Sequence, residues 1–168
     1  YLQIHGTSMG STFAPSLAGL YVHHLEASKI LVDTNPRRSK IRLWKRYIDD
    51  ILVIWRGSES EALVFIDWLN EQDIFLKFTS NISSNFLVFL DLNIYVTDVG
   101  IKTDTHTKPT DRNCLLDFNS FRPRHLRTNL PFSQFFRIRR NCSAVEDYDI
   151  QSKALAERFQ ERNYPHRI

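Results

Sequence analysis

Cysteine, methionine and glycine are scarce in this chain of 168 residues, which contains two cysteines, one methionine and five glycines. Cys114 and Cys142 lie far apart, and neither has a second cysteine two or three residues away, which argues against a zinc knuckle and a CxxC redox site. Apolar runs are short as well, since none approaches the roughly 20 residues that a membrane-spanning helix needs. The sequence therefore predicts reduced, structural thiols and no membrane span.

Apolar residues are nevertheless sufficient for a folded core, because 42% of the chain is hydrophobic and 12% is aromatic. A length of 168 residues suits one domain, or one lobe of a larger protein. The chain enters apolar sequence directly at Tyr1, from which we expect a longer reading frame. The composition is that of a globular protein rather than a disordered one.

Positive charge is concentrated in two stretches, although the net charge is only +3. Residues 37–46 hold six basic and no acidic residues, and residues 108–140 hold eight basic against two acidic ones. The second stretch also contains Phe118, Phe121, Phe132, Phe135 and Phe136. Either stretch can follow a phosphate backbone or form a solvated charged face. The phenylalanines favour nucleic acid only slightly, because phenylalanines at this spacing are more often core residues.

Hydrophobic periodicity divides the chain into a mixed α/β region, residues 1–107, and a basic helical region, residues 108–168. The predicted strands are residues 1–5, 42–47, 51–55, 74–79, 86–96 and 101–107. The predicted helices are residues 13–31, 58–72, 115–121, 131–140 and 143–163. The expected N-caps are Ser11 or Thr12, then Ser58 or Ser60, and finally Ser143 in capping-box spacing with Glu146. The pattern predicts an α+β fold with hairpins at residues 42–55 and 86–107.

Two adjacent acidic residues, Asp49 and Asp50, interrupt the stretch RYIDDILVIW at residues 46–55. At a tight turn between two strands, both carboxylates project from the end of the sheet, where solvent or a metal ion can neutralise them. Mg²⁺ prefers oxygen ligands and keeps positions open for substrate phosphates. A two-metal site of this kind can activate a 3′-hydroxyl and stabilise a leaving pyrophosphate. The alternative is that both residues are ordinary turn formers, a role that aspartate often has.

The sequence YIDD at residues 47–50 resembles the Tyr-x-Asp-Asp signature of reverse transcriptases. Further segments are similar, in the same order, to the reverse transcriptases of Penelope-like retroelements of animals. They are LQIHGTSMGSTFAP (residues 2–15), FLDLNI (89–94), TKPTD (107–111), NSF (119–121) and ERNYP (161–165). The resemblance covers nearly the whole chain. It implies a partial right-hand polymerase palm, made of antiparallel hairpins packed with helices, followed by an α-helical thumb-like region that also resembles a helix-turn-helix module.

The resemblance implies an RNA-directed DNA polymerase that uses Mg²⁺ or Mn²⁺, an RNA template, a DNA primer and deoxynucleoside triphosphates. Asp49 would be a catalytic metal ligand with Asp50 beside it, and Tyr47 would lie near the primer terminus. The nucleotide-binding residues would be Gln3, Gly6, Ser8, Gly10 and Lys77. The thumb residues on the template-primer backbone would be Arg122, Arg124, Arg127, Arg137, Arg139 and Arg140. Lys77 can equally be a surface lysine whose stem covers apolar area.

The same resemblance places a first catalytic strand, with another metal-binding aspartate, and the fingers before Tyr1. A GIY-YIG endonuclease follows the thumb in many relatives. We therefore expect the chain alone to lack polymerase activity, and we expect a nuclear or cytoplasmic ribonucleoprotein. Ser8 stands where relatives often have alanine. An alternative is an inactive retroelement remnant whose basic helices only bind nucleic acid, and the oligomeric state is left open.

A different enzyme class is suggested by GTSMG at residues 6–10, a G-x-S-x-G sequence between a predicted strand and a predicted helix. Ser8 would then be the nucleophile of a serine hydrolase, with a later aspartate and His106 or His125 completing a triad. The sequence shows no HGGG-type oxyanion segment. This interpretation also leaves the Asp49–Asp50 pair unexplained, so polymerase chemistry is the favoured expectation.

Overall fold

Two units, the N-terminal unit (Tyr1–Asn81) and the C-terminal unit (Ile82–Ile168), make up the computed structural model. It describes residues 6–8 and 10–166. Both units combine helices with a small antiparallel sheet, so the expected α+β class is confirmed. The predicted regional boundary after residue 107 rested on a change of sequence pattern and remains a prediction.

The N-terminal unit is built from helices around a two-stranded hairpin. Its regular elements are α1 (Ala14–Leu25), a π-helical turn (Glu26–Ile30), a 3-10 turn (Arg38–Lys40), β1 (Ile41–Tyr47), β2 (Asp50–Trp55) and α2 (Glu59–Gln72). Pro15 lies in the first turn of α1, as predicted, where its missing N–H removes no helical bond. The predicted caps Ser11 and Thr12 are wrong, because α1 begins after Phe13 without a side-chain cap.

The local sequence explains α2 well. Ser58 and Glu61 form a capping box: Ser58 Oγ accepts from the Glu61 N–H at 3.3 Å, and the Glu61 carboxylate accepts from the Ser58 N–H at 3.0 Å. Phe65 and Leu69 recur at helical spacing and are almost fully buried. They form one core with Leu25, Ile30 and Ile41, and burial of each large side chain contributes about 2 kcal/mol. α2 thereby supports the hairpin from the core side.

The C-terminal unit contains a three-stranded sheet and two helices. Its elements are β3 (Phe86–Phe89), β4 (Leu92–Thr97), β5 (Gly100–Thr105), α3 (Arg124–Asn141) and α4 (Val145–Gln160). The strands pair in chain order, all antiparallel. A core of Ile138, Cys142, Leu155, Phe159 and Tyr164 joins α3 and α4.

Short polar contacts connect the sheet of this unit to its helices. Thr103 Oγ1 donates to the Asn141 carbonyl at 2.7 Å, and Lys102 lies 2.8 Å from Asp147 at the start of α4. Ser143 was predicted to form a capping box with Glu146, which is wrong. Its hydroxyl instead accepts from the Thr103 N–H at 2.9 Å, while α4 begins after Ala144 without a side-chain cap. Ser143 therefore bonds Thr103 on β5, which is distant in sequence, instead of capping α4.

The predicted strand at residues 74–79 is wrong, because this segment has no regular structure. Asp73 Oδ1 accepts from the N–H groups of Phe75 and Leu76 at 2.7 and 3.0 Å. The Asn70 side chain bonds both backbone groups of Phe78, at 2.6 and 3.0 Å. Side chains therefore satisfy the backbone where a neighbouring strand would otherwise do so.

Two other predicted elements also differ from the structure. Residues 86–96 form two strands rather than one, because the chain reverses after Phe89, with Leu90 at a left-handed φ of 54°. Glycine usually marks such a backbone position, and none is present here. Residues 115–121 are not a helix, because Asp117 Oδ1 accepts from the Asn119 N–H at 2.8 Å and stabilises a turn instead.

Candidate functional site

The predicted Asp49–Asp50 turn is present at the end of the β1–β2 hairpin. Tyr47 pairs with Asp50, so Ile48 and Asp49 form a two-residue loop. Asp49 and Asp50 are both exposed. Among the described residues neither carboxylate has an ion-pair or hydrogen-bond partner. Two adjacent, exposed carboxylates thus lie side by side at this end of the hairpin.

The backbone of this turn is strained. Ile48 has a φ of 55° while its side chain is 71% exposed. A β-branched residue in the left-handed region costs about 1–2 kcal/mol, and an exposed side chain recovers little of that cost through packing. Strain of this kind concentrates at functional sites, where the surrounding structure maintains it. Arg46 of β1 bonds the Ile48 carbonyl and is itself bonded to Gly19 in α1 and to Glu26 in the π-helical turn.

A buried ion pair fixes the base of the hairpin turn. Arg46 Nε lies 2.8 Å from Glu26 Oε1, and Trp44 Nε1 donates to the same oxygen at 2.9 Å. The guanidinium also donates to the carbonyls of Gly19, at 3.3 Å, and Ile48, at 3.2 Å. Arg46 therefore joins α1 to the turn residue that precedes the two carboxylates. Sequence reasoning missed the role of Glu26, since only the buried position of Glu26 beside Arg46 reveals it.

The Glu26 carboxylate remains ionised despite its burial. Burial raises the pKa of Glu26, but the hydrogen bonds from Arg46 and Trp44 and the nearby Arg46 charge together outweigh that effect. The pKa therefore lies below its ordinary value. An ionised Glu26 keeps the Arg46 guanidinium in place.

The two turn carboxylates suit Mg²⁺ or Mn²⁺ in chemistry, although they do not make a complete cage. No group of three or more His, Cys, Asp or Glu side chains that could hold a metal occurs within residues 6–8 and 10–166. Mg²⁺ is commonly bound by one or two carboxylates together with substrate phosphates and waters. Asp49 and Asp50 match that donor set, with the remaining positions left to other ligands.

The loop before α1 contains the predicted nucleotide-pocket residues. Gly6 and Gly10 have left-handed φ angles of 74° and 91°, which explains why glycine occupies both positions. Ser8 is exposed between them. Gln3, and the predicted strand at residues 1–5, lie outside the described residues. The contact of this loop with a nucleotide remains a prediction.

Tyr47 and Lys77 are the other predicted substrate contacts in this unit. Tyr47, at the end of β1, is 59% exposed, so its ring is accessible beside the Asp49–Asp50 turn. Lys77 is exposed and its Nζ donates to the Asn70 carbonyl at 2.9 Å. That bond attaches Lys77 to the end of α2 and favours the alternative of an ordinary surface lysine.

The serine hydrolase interpretation gains no support from the geometry. Ser8 is absent from the described non-glycine residues with left-handed backbone, whereas a nucleophile elbow requires a sharp, strained turn at the serine. His106 Nδ1 lies 2.9 Å from Asn93 Oδ1, and His125 lies on the exposed side of α3.

The six predicted thumb arginines divide into two groups. Arg127 donates to the Phe118 carbonyl and stacks over the Phe118 ring, and Arg137 forms an ion pair with Asp91. These intramolecular contacts make both arginines weaker candidates for phosphate binding. Arg137 is nevertheless exposed. The other four are exposed and have no side-chain hydrogen bond or ion pair among the described residues: Arg122, Arg124, Arg139 and Arg140. Arg139 and Arg140 lie over the rings of Tyr148 and Phe136, at 5.8 and 5.9 Å from the ring centroids.

Most of the basic stretch at residues 37–46 is also used within its own unit. Arg38 donates to the carbonyls of Leu31 and Ile41, and Lys40 pairs with Glu61. Arg37 stacks over Trp68 and Arg46 binds Glu26. The remaining exposed members are Arg42 and Lys45. The first basic stretch is therefore less suited to a phosphate backbone than its charge suggested.

One family model matches part of the chain: residues 114–168 match the animal helix-turn-helix domain. No curated protein and no solved structure matches the chain. The matched segment contains α3, the connection through Cys142 and α4. It agrees with the predicted helix-turn-helix module and supports a nucleic-acid partner. No described helix is long and apolar enough to cross a membrane.

Proposed function

We propose that this chain is the palm and thumb part of an RNA-directed DNA polymerase that extends a DNA primer on an RNA template. The observation that carries the proposal is the exposed Asp49–Asp50 pair, without partners among the described residues, at a strained hairpin turn. The order of motifs shared with retroelement reverse transcriptases supports it. So does the helix-turn-helix match in the basic helical region.

In this proposal each residue of the hairpin has a separate task. Asp49 and Asp50 would bind the cation, and Tyr47, which is exposed at the end of β1, would contact the primer terminus. Arg46, bound to Glu26 and to the Ile48 carbonyl, holds the turn in position. When bound, Mg²⁺ supplies the positive charge that activates the 3′-hydroxyl and stabilises the leaving pyrophosphate.

The metal assignment predicts selective broadening by Mn²⁺ in NMR spectra of this chain. Mn²⁺ should broaden the backbone amide signals of residues 48–51 most, because the two carboxylates there bind it through oxygen. Asp49→Asn combined with Asp50→Asn should abolish that broadening. Asp98, an exposed aspartate at the turn between β4 and β5, is the matched control. Equal broadening at the Asp49–Asp50 turn and at the Asp98 turn would show that the cation is attracted to any exposed carboxylate. That result would contradict the proposal.

A second candidate function, nucleic-acid binding without catalysis, is favoured by the helix-turn-helix match and the exposed arginines of the C-terminal unit. This function needs no contribution from Asp49 or Asp50. It requires only that phosphates contact the side chains of the C-terminal unit, since such contacts position a protein without reading sequence.

Replacing Arg122, Arg124 and Arg139 by Gln should weaken binding of an RNA–DNA duplex and make it less dependent on salt. Each lost phosphate contact should flatten the slope of log affinity against log salt by about 0.7–0.9. Arg42→Gln with Lys45→Gln, exposed members of the first basic stretch, is the control and should change little. Filter retention over a salt series measures both slopes. If the triple variant kept the wild-type slope, these arginines would be ordinary surface charges.

A further inference from the structure

Two phenylalanine side chains on α3 are exposed to solvent. Phe132 is 74% exposed and Phe136 is 55% exposed. They follow one another at a spacing of four residues, so both lie on the same side of the helix. The buried residues of α3, Pro131 and Ile138, lie on its core side. Burial in the unit therefore does not explain why these two positions are aromatic.

The two rings form an ordered pair rather than two independent side chains. Their centroids are 6.1 Å apart and their planes differ by 17°. The Arg140 guanidinium lies 5.9 Å from the centroid of Phe136. Ser133 and Asn141 line the same shallow groove beside the ring. Flat apolar rings, a cation and small polar groups thus lie together on one surface of the helix.

The charge of α3 indicates what this surface can bind. The helix contains no acidic residue in its 18 positions, and its basic residues include Arg139 and Arg140 in the last turn. A purely apolar partner would leave the Arg140 charge without a counterion. A nucleic-acid strand offers π-faces to the rings and phosphates to the guanidinium.

We propose that Phe132, Phe136 and Arg140 form a binding site for unpaired nucleotides of a single-stranded nucleic acid. Bases stack on the two rings, and Arg140 contacts an adjoining phosphate. Asn141 lies at the edge of the groove and offers hydrogen bonds. The Ser133 hydroxyl, which donates to the Leu130 carbonyl at 2.8 Å, can accept one. This site goes beyond the proposed polymerase and does not depend on it, because duplex binding through phosphates needs no exposed bases whereas stacking does.

The site predicts that the full chain prefers strands that carry bases. Fluorescence anisotropy should show that a labelled oligothymidylate of about 12 nucleotides binds at least about tenfold more tightly than an abasic strand of equal length and charge. Phe132→Leu with Phe136→Leu should remove that preference, since leucine keeps apolar area and suits a helix but has no π-face. Phe75→Leu, at a 70% exposed phenylalanine of the N-terminal unit, is the matched control and should retain it.

The comparison of the two strands tests the site even without the variants. Equal affinity of the wild-type chain for oligothymidylate and for the abasic strand would overturn the proposal, because phosphate contacts alone would then account for binding. A preference that survives the double leucine variant would also overturn it by placing base stacking elsewhere. Sedimentation of the wild type as a dimer that the leucine variant dissociates would assign the rings to self-association instead.

Discussion

Glu26→Gln should lower the free energy of unfolding of the N-terminal unit by about 3 kcal/mol, because it leaves the Arg46 guanidinium buried without a counter-charge. The side chains of Glu26 and Arg46 are only 8% and 18% exposed. Glutamine has nearly the same shape and still offers one oxygen to Trp44, so the loss reports the missing charge. Chemical denaturation followed by tryptophan fluorescence measures the change, because all three tryptophans, Trp44, Trp55 and Trp68, lie in this unit.

Lys40→Gln is the matched control in the same unit. It breaks the Lys40–Glu61 pair, whose side chains are 38% and 46% exposed, and exposed pairs contribute only about 0–1 kcal/mol. A loss of the same size in both variants would show that the Glu26–Arg46 pair has no special stabilising role.

The pH dependence of stability gives a further test of the same pair. Since the pKa of Glu26 is lower in the folded chain than in the unfolded one, the stabilisation is fully present above the unfolded value of about 4.3. This stabilisation is lost as the pH falls through the lower pKa that Glu26 has in the folded chain. The wild type should therefore lose more stability than Glu26→Gln in this acid range, and the two curves should approach each other there.

Local patterns were sufficient to predict the hairpin and α2. The apolar residues after Asp50 have few alternatives to a strand packed on a core, and Ser58 with Glu61 forms the predicted capping box within four consecutive residues. The exposed position of the paired carboxylates followed from the turn itself. These interactions join residues that are close in sequence, so they can be predicted from the local sequence pattern.

Contacts between distant residues could not be predicted in the same way. Glu26 and Arg46 are 20 positions apart, and neither residue carries a local signal of the other. The basic stretch at residues 37–46 shows charge in the sequence but not that Lys40, Arg38 and Arg46 have partners in their own unit. The sequence shows how many basic residues a stretch contains. Only the tertiary structure shows which of them already have partners and which could bind a phosphate.

In a polypeptide that includes the upstream catalytic strand, Asp49→Asn should reduce primer extension by roughly 10³-fold or more, since loss of a metal ligand removes several kcal/mol of transition-state stabilisation. Asp49 is exposed and has no partner among the described residues, so the folding stability should change by less than about 0.5 kcal/mol. That separation distinguishes a catalytic ligand from an aspartate that merely forms the turn. Asp98→Asn, at the exposed turn between β4 and β5, should leave extension unchanged.

The most direct measurement is Mg²⁺-dependent extension of a DNA primer on an RNA template. It uses a polypeptide that adds the upstream catalytic strand which the resemblance implies. The polymerase account predicts incorporation of deoxynucleotides by the wild type and by Asp98→Asn, and loss of incorporation in Asp49→Asn while its unfolding curve stays unchanged. Equal incorporation by the wild type and Asp49→Asn would contradict the metal role of the turn, and with it the central claim.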